Sequence, residues 1–250
     1  MNLQKLILTE NECYKIGEKI TPKGIMVHST AANNPRLSRY VGPDDGKLGV
    51  NKYDNHWNHY HVSGKDVDDH AYIDKNKDGK CDVCGGCQKC VHAFIGKLDD
   101  GSVATYQTLP WNHRGWHAGG TANNTHIGFE ICEDDTNDAD YFSKVYKEAV
   151  ELCAYLCKQY GLTEKDIVDH TEGYKKGIAC NHSDVGHWFP KHGKTMDDFR
   201  EDVKALLEPE KKVRYRVQVG GRYYSKRSSA EDLVEKLKSA GFNAYITEIE

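Results

Sequence analysis

The sequence has no apolar run near the ~20 residues needed to cross a bilayer, so no membrane span is expected. Its first residues, MNLQKLILTENECYK, lack the h-region and small-residue cleavage site of a secretory signal, because Thr9 and Glu10 break the one short apolar patch. The chain is therefore expected to be made in the cytoplasm without a signal peptide and to need another agent for release if it works outside. Net positive charge is missing as well. Thirty-four Lys and Arg stand against 38 Asp and Glu, a net charge of −4, which argues against general nucleic-acid binding. An even cysteine count is also absent: with nine, a complete disulfide framework is impossible. A reducing compartment favours thiols and metal ligation over disulfides.

What is present is a globular composition, with 29% charged and 38% hydrophobic residues over 250 positions. Residues 1–22 read as a short helix and a turn closing at Pro22. "KGIMVHST" (23–30) is a compact apolar strand ending in a polar switch. Residues 31–60 are rich in Asn, Asp, Gly and His and read as loop. Apolar content collapses over residues 62–89, which look inserted. "VHAFIGK", "GSVATYQTLP" and "THIGFEICE" read as three core strands, the first two joined as a hairpin through Asp99-Asp100-Gly101. The clearest helix is 141–160, where Phe142, Val145, Tyr146, Ala149, Cys153, Leu156 and Cys157 recur at three- and four-residue spacing. Asp138 or Asp140 can cap it and Gly161 suits its exit. A second helix spans 196–207, and "EPEKK" (208–212) is a charged linker. The last 38 residues read as strand, helix, strand. The expected class is α/β: a mixed central β-sheet flanked by helices, with a Cys-rich insert and a small C-terminal β-α-β module.

Three separated polar clusters carry the candidate chemistry. His28 ends the first strand in "VHST". His170 ends the apolar "DIVDH". "CNHSDVGHW" holds Cys180, His182, Asp184 and His187. Catalytic zinc needs three protein ligands and an open position, and two histidines with a carboxylate are a common set. These landmarks, in order with "CVHAFIG", "LPWNHRGWHAGG", "NNTHIGFEICE" and "NHSDVGHWFP", resemble the type-2 N-acetylmuramoyl-L-alanine amidases, whose fold is shared with peptidoglycan recognition proteins. The variant "EGYKKGIACNHSDVGHW" is most similar to endolysins and cell-wall hydrolases of clostridia, bacilli and their phages. The resemblance covers roughly residues 1–207 apart from the insert. It implies zinc ligation by His28, His170 and Asp184. It also implies an acid/base role for Glu130 and oxyanion stabilisation by His182, where many relatives carry lysine. Trp116 and His117 would line the substrate cleft. Cys180 is a rival ligand, but its place in "GIACNH" matches no family ligand position. The implied reaction is zinc-dependent hydrolysis of the amide between N-acetylmuramic acid and L-alanine in bacterial peptidoglycan, at the cell wall after release. Rival functions are a non-catalytic peptidoglycan-binding protein and a metal sensor centred on the insert.

Within the insert, Cys81, Cys84, Cys87 and Cys90 stand at CxxC spacing. Four readings stand for them: an iron–sulfur cluster, a structural zinc staple, a calcium loop, or a metal-free loop with thiols reduced or paired. The usual iron–sulfur run ends differently. In the zinc reading His59, His61 or His70 can replace one cysteine. In the calcium reading Asp74, Asn76, Asp78 and Asp82 fall at loop positions 1, 3, 5 and 9, but position 12 is Gly85 instead of Glu. The C-terminal stretch "YRVQVG", an amphipathic helix and "GFNAYI" resemble one SPOR repeat, a module that binds peptidoglycan glycan strands. One such piece buries little core, so it is expected to pair with a second chain as a homodimer or to dock on the catalytic domain. Residues 211–227 hold seven Lys or Arg and no acid.

Overall fold

Short apolar runs bounded by turn residues become strands, and the longest periodic stripe becomes the longest helix. The computed structural model describes residues 1–58, 75, 89–134, 138–208, 214–217 and 222–249. In chain order the first unit, Met1–Leu207, contains β1 (Leu3–Lys5), α1 (Glu12–Ile16), β2 (Gly24–Ser29), β3 (Ala93–Lys97), β4 (Val103–Gln107) and β5 (His126–Ile131). Then follow α2 (Ala139–Tyr160), β6 (Ile167–Asp169), α3 (His170–Lys175), α4 (Val185–Trp188) and α5 (Met196–Leu207). The six strands form one mixed sheet in the order β1-β4-β3-β5-β2-β6. Only β3 and β4 pair antiparallel, through the turn in which Gly101 N–H bonds to the Leu98 carbonyl. β1 was read from sequence as part of a helix; a three-residue strand has too few alternations to show a period, and it forms by pairing with Thr105–Gln107.

Both faces of the sheet are covered, which is why β2 is buried at all six positions. Ile25, Val27, Phe129 and Ile131 face α2 and α5 in the main core. Asp138 caps α2 by accepting from Asp140 and Tyr141 N–H at 3.0 and 3.1 Å, and Gly161 closes it at φ 67°. On the opposite face Leu37, Tyr40, Leu48, Phe94 and Tyr106 form a second cluster, with Tyr40 stacked on Phe94. Among the described residues no helix is long and apolar enough to cross a membrane.

Cys13 on α1 and Cys90, just before β3, form a disulfide across 77 residues. This corrects the reading of Cys90 as a metal ligand, because a sulfur bonded to sulfur cannot serve as a thiolate. The CxxC spacing is local, whereas the true partner lies far away in sequence. Cys81, Cys84 and Cys87, like His59, His61, His70 and all but Lys75 of the 74–88 loop, lie outside the described residues. Closing a loop of this length is worth about 4 kcal/mol in the chain-entropy account. Reduction should therefore shift the denaturant midpoint down by an amount that Cys13→Ser reproduces; equal midpoints for oxidised and reduced protein would show that the bond contributes nothing.

The second unit, Glu208–Glu250, holds β7 (Arg214–Val217), β8 (Arg222–Tyr224), α6 (Arg227–Ser239) and β9 (Ile246–Ile249). Its sheet runs β8-β7-β9, antiparallel throughout. The strand–helix–strand reading thus gains a strand, β8, and the added reversal makes β7 and β9 antiparallel. α6 buries Ala230 and Val234 beside Ala244.

Candidate active site

The carboxyl ends of three neighbouring parallel strands, β5, β2 and β6, meet at one edge of the first unit, where open α/β sheets place their ligands. His28 sits near the end of β2 with Glu130 directly beside it on β5. His170 begins α3 immediately after β6. The turn between them is fixed by a capping box: the Asp169 carboxylate accepts from Glu172 N–H at 2.6 Å, and Glu172 accepts from Asp169 N–H at 3.3 Å. Arg200 of α5 grips the same Glu172 with two bonds of 2.9 Å. Asp184 occupies the N-cap position of α4 with φ 39° and ψ −126°, its side chain making no cap hydrogen bond. That conformation costs a non-glycine residue on the order of 1–3 kcal/mol and persists where surroundings over-determine it.

The structure brings these three residues into one cluster of donor atoms. Asp184 Oδ2 lies 2.7 Å from His28 Nδ1 and 2.9 Å from His170 Nδ1, and the two imidazole nitrogens are 3.2 Å apart. Burial raises the Asp184 carboxyl, but hydrogen bonds and charge from His170 and His28 outweigh it and hold the group well below the carboxylate range. Burial pushes His28 down despite its bond to Asp184. Its tautomer follows from the outer partners. His117 Nε2–H donates to the His126 carbonyl at 3.2 Å, so His117 Nδ1 accepts from His28 Nε2–H at 2.9 Å. In that neutral tautomer the lone pair of His28 Nδ1 is turned toward Asp184 and His170, the form a metal ligand needs; the bond to Asp184 belongs to the ring with both nitrogens protonated. Such outer bonds are what orient metal-binding histidines. Gly128 is required here, since a Cβ would stand 2.4 Å from His117 Nδ1.

The donor set fits a zinc ion. A tetrahedral ion with bonds of about 2.0–2.1 Å places its ligand atoms roughly 3.3 Å apart, close to the 2.7–3.2 Å triangle seen here. Two neutral imidazoles and one carboxylate also match its ligand chemistry.

Glu130 points to the same face of the sheet as His28. Its Oε2 is buried without a hydrogen-bond partner. Burial, reinforced by the charges of Asp184 and Glu133, pushes its carboxyl well above the ordinary value.

Other sequence-derived candidates fall differently. His117, expected in the cleft wall, has both ring nitrogens engaged, Nδ1 with His28 and Nε2 with the His126 carbonyl, and so supports His28. Trp116 exchanges backbone bonds with Cys90 and carries the Arg114 guanidinium 4.7 Å above its ring, so it packs on the disulfide. His182 is exposed; its Nδ1 lies 3.2 Å from Cys180 Sγ, and its ring centroid is 4.8 Å from that of His170. His92 is a buried histidine bonded to backbone, accepting from Gly128 N–H and donating to the His113 carbonyl; burial holds it down to about 4.

Sequence reasoning assigned no role to Glu133 and His187. Glu133 accepts from Ser29 Oγ at 2.5 Å and Ala31 N–H at 3.2 Å, and its other oxygen meets His187 Nε2 at 3.0 Å. It ties the end of β2 to α4, the helix whose N-cap position Asp184 occupies. The one available signal was the placement of His187 three residues after Asp184.

A family model described as N-acetylmuramoyl-L-alanine amidase matches residues 18–187. Among curated proteins, 94 residues are 34% identical to the N-acetylmuramoyl-L-alanine amidase XlyA of Bacillus subtilis, covering 36% of this chain and 29% of that protein. Over 95 residues the chain is 35% identical to the amidase CwlH of the same species, covering 36% of this chain and 35% of that one. The matches thus span about a third of the length of these relatives. Among solved structures, a point mutant of PlyL superposes with a TM-score of 0.51 at 17% identity, covering 82% of this chain and 99% of that one. The Staphylococcus aureus hydrolase AmiA, in complex with its ligand, gives a TM-score of 0.50 at 18% identity, covering 82% of each chain. At these identities the two structures show a shared fold. With a match over more than half its length, and with that fold, the chain belongs to the N-acetylmuramoyl-L-alanine amidase family.

Proposed function

We propose that the chain hydrolyses the amide between the lactyl group of N-acetylmuramic acid and L-alanine in peptidoglycan, with zinc held by His28, His170 and Asp184. The observation that carries this reading is the convergence of three ligand atoms, with Glu130 and its unpartnered Oε2 on the neighbouring strand beside His28, in a chain of this family. Zinc in such a site supplies Lewis acidity toward an amide carbonyl and makes water usable as a nucleophile near neutral pH. The rest of the work falls to the chain. His117 holds the His28 ring, and the capping box holds His170. Glu133 ties α4 to the end of β2, which supports the placement of Asp184. Glu130, ionised once a cation is held beside it, would take a proton from the attacking water at a carboxylate oxygen and return it to the alanine nitrogen as the amide breaks.

Residues 213–250 are proposed as a SPOR-like wall-binding module joined to the catalytic domain, residues 1–207, by the linker 208–212. The run of seven basic residues and the exposed rings of Tyr223 and Phe242 support contact with anionic polymers and sugar faces. An endolysin or autolysin role is part of the same proposal, supported by the likeness to the Bacillus subtilis amidases.

The test is digestion of purified cell wall with and without chelator. New alanine N-termini that disappear with chelator and return with zinc are expected. New reducing ends would identify a glycosidase, and binding without any release would establish the non-catalytic reading.

A further inference from the structure

Beyond the three-residue cluster, a second set of donor atoms converges on the far side of His170. Cys180 Sγ lies 3.3 Å from His170 Nε2 and 3.2 Å from His182 Nδ1. The three could each offer one atom to a single ion. Cys180 is held in place by its backbone. Its N–H bonds to the Ala118 carbonyl at 2.8 Å, and it packs so closely under Gly119 that a Cβ there would stand 2.5 Å from the sulfur. It is also partly exposed, whereas the other described free cysteines, Cys132, Cys153 and Cys157, are buried.

We propose that His170, Cys180 and His182 form a second metal site for a thiophilic divalent cation such as zinc or cadmium, and that it competes with the first site for His170. A tetrahedral ion with bonds of about 2.3 Å to sulfur and 2.0–2.1 Å to nitrogen sets sulfur and nitrogen roughly 3.5 Å apart, near the spacing found. As the ion binds, Cys180 gives its thiol proton to solvent, leaving one thiolate, two neutral imidazoles and an open position.

The competition follows from proton count on one ring. A neutral imidazole has one N–H and one lone pair. With the lone pair at Nδ1, His170 serves the first site and its Nε2–H faces the sulfur. With the lone pair at Nε2, it serves the second site and its Nδ1–H donates to Asp184 Oδ2 at 2.9 Å. Both tautomers are satisfied by the surrounding groups, so an excess of soft metal is expected to draw His170 out of the first set and slow the enzyme. The inhibitory consequence rests on the proposed zinc amidase reading; the existence of the site does not.

The experiment uses the full chain, made metal-free, with Cys81, Cys84 and Cys87 changed to serine so that Cys180 is the accessible thiol. Cadmium titration should give an ultraviolet sulfur-to-metal charge-transfer band. Cys180→Ser should abolish the band, and His182→Ala should weaken cadmium binding at least tenfold. In the wall assay, zinc beyond one equivalent should slow release, and Cys180→Ser should remove that inhibition relative to its own rate at one equivalent. A band that persists in Cys180→Ser overturns the site. Equal inhibition of both proteins overturns the competition. Failure of the amidase reading shows separately, as absence of release at one equivalent while the band remains.

Discussion

Asp184→Ala is expected to abolish release of alanine N-termini from purified wall, a loss of about a thousandfold or more, and to strip zinc from the protein. Asp184 is the only anion in the donor set, and its Oδ2 touches both histidine nitrogens. Without it two buried nitrogens face each other at 3.2 Å with no carboxylate to complete a third ligand. A metal ion acting as Lewis acid supplies several kcal/mol of transition-state stabilisation, and ~4 kcal/mol is about a thousandfold in rate. The change should not act through unfolding. Alanine, like aspartate, keeps a Cβ at φ 39°, and no hydrophobic contact is removed. Sedimentation with cell wall, which we propose residues 213–250 mediate, should therefore survive. Asp184→Asn provides the graded control: it keeps the shape and one oxygen but loses the charge, and its zinc content should fall between the two. Full activity in the alanine variant would disprove the ligand set, and loss of both wall sedimentation and folded structure would make the residue a structural one.

The parts of this molecule that were legible in the sequence are those set by local pattern. The apolar stripe from Phe142 to Cys157 specified a helix, and Asp138 and Gly161 marked its ends within two residues. The apolar run Gly24–Ser29 announced a strand covered on both faces. His28 and His170 each close an apolar run, the point where a strand delivers a side chain to an edge, whereas Asp184 follows the polar Asn181-His182-Ser183 and was nominated by the resemblance of its segment to the amidase family. What the sequence did not reveal depends on which distant residues meet. Cys90 looked like one of four equivalent thiols until the fold put Cys13 beside it. His117 looked like a cleft residue because it stands next to Trp116; its bond to His28 comes from β5 passing beneath it, with Gly128 leaving the room. Glu133 and His187 are adjacent only after β5 and α4 meet at the site. The short strands β1 and β8 carry too little period to read, and pairing partners define them.

Glu130→Gln is expected to lower kcat by about 10²- to 10⁴-fold, the usual worth of a positioned acid/base, with zinc content and wall sedimentation unchanged. Glutamine keeps the length and shape of the side chain, but it can neither take a proton from water nor give one to the alanine nitrogen. The metal should stay because Glu130 is not among the three converging donors. The same variant carries a stability signature that a carboxylate paired with a cation would not. Burial, with the charges of Asp184 and Glu133, raises the folded carboxyl above its ordinary value of 4.5. Above about pH 4.5 the unfolded chain has therefore lost this proton while the folded, chelated protein still holds it. The native state then binds more protons than the unfolded state, and wild-type stability falls as pH rises through that window, at up to ~1.4 kcal/mol per pH unit for one group. Glutamine does not titrate, so in chelator Glu130→Gln should match wild type below pH 4 and exceed it increasingly toward neutral pH. An enzyme that loses turnover and gains stability from one isosteric change has its strain where its chemistry is. Denaturant unfolding at pH 4 and pH 7, beside zinc analysis and wall digestion, separates the cases. If Glu130→Gln is less stable at pH 7 than wild type, the carboxylate is held by a cation in the fold and the acid/base assignment fails.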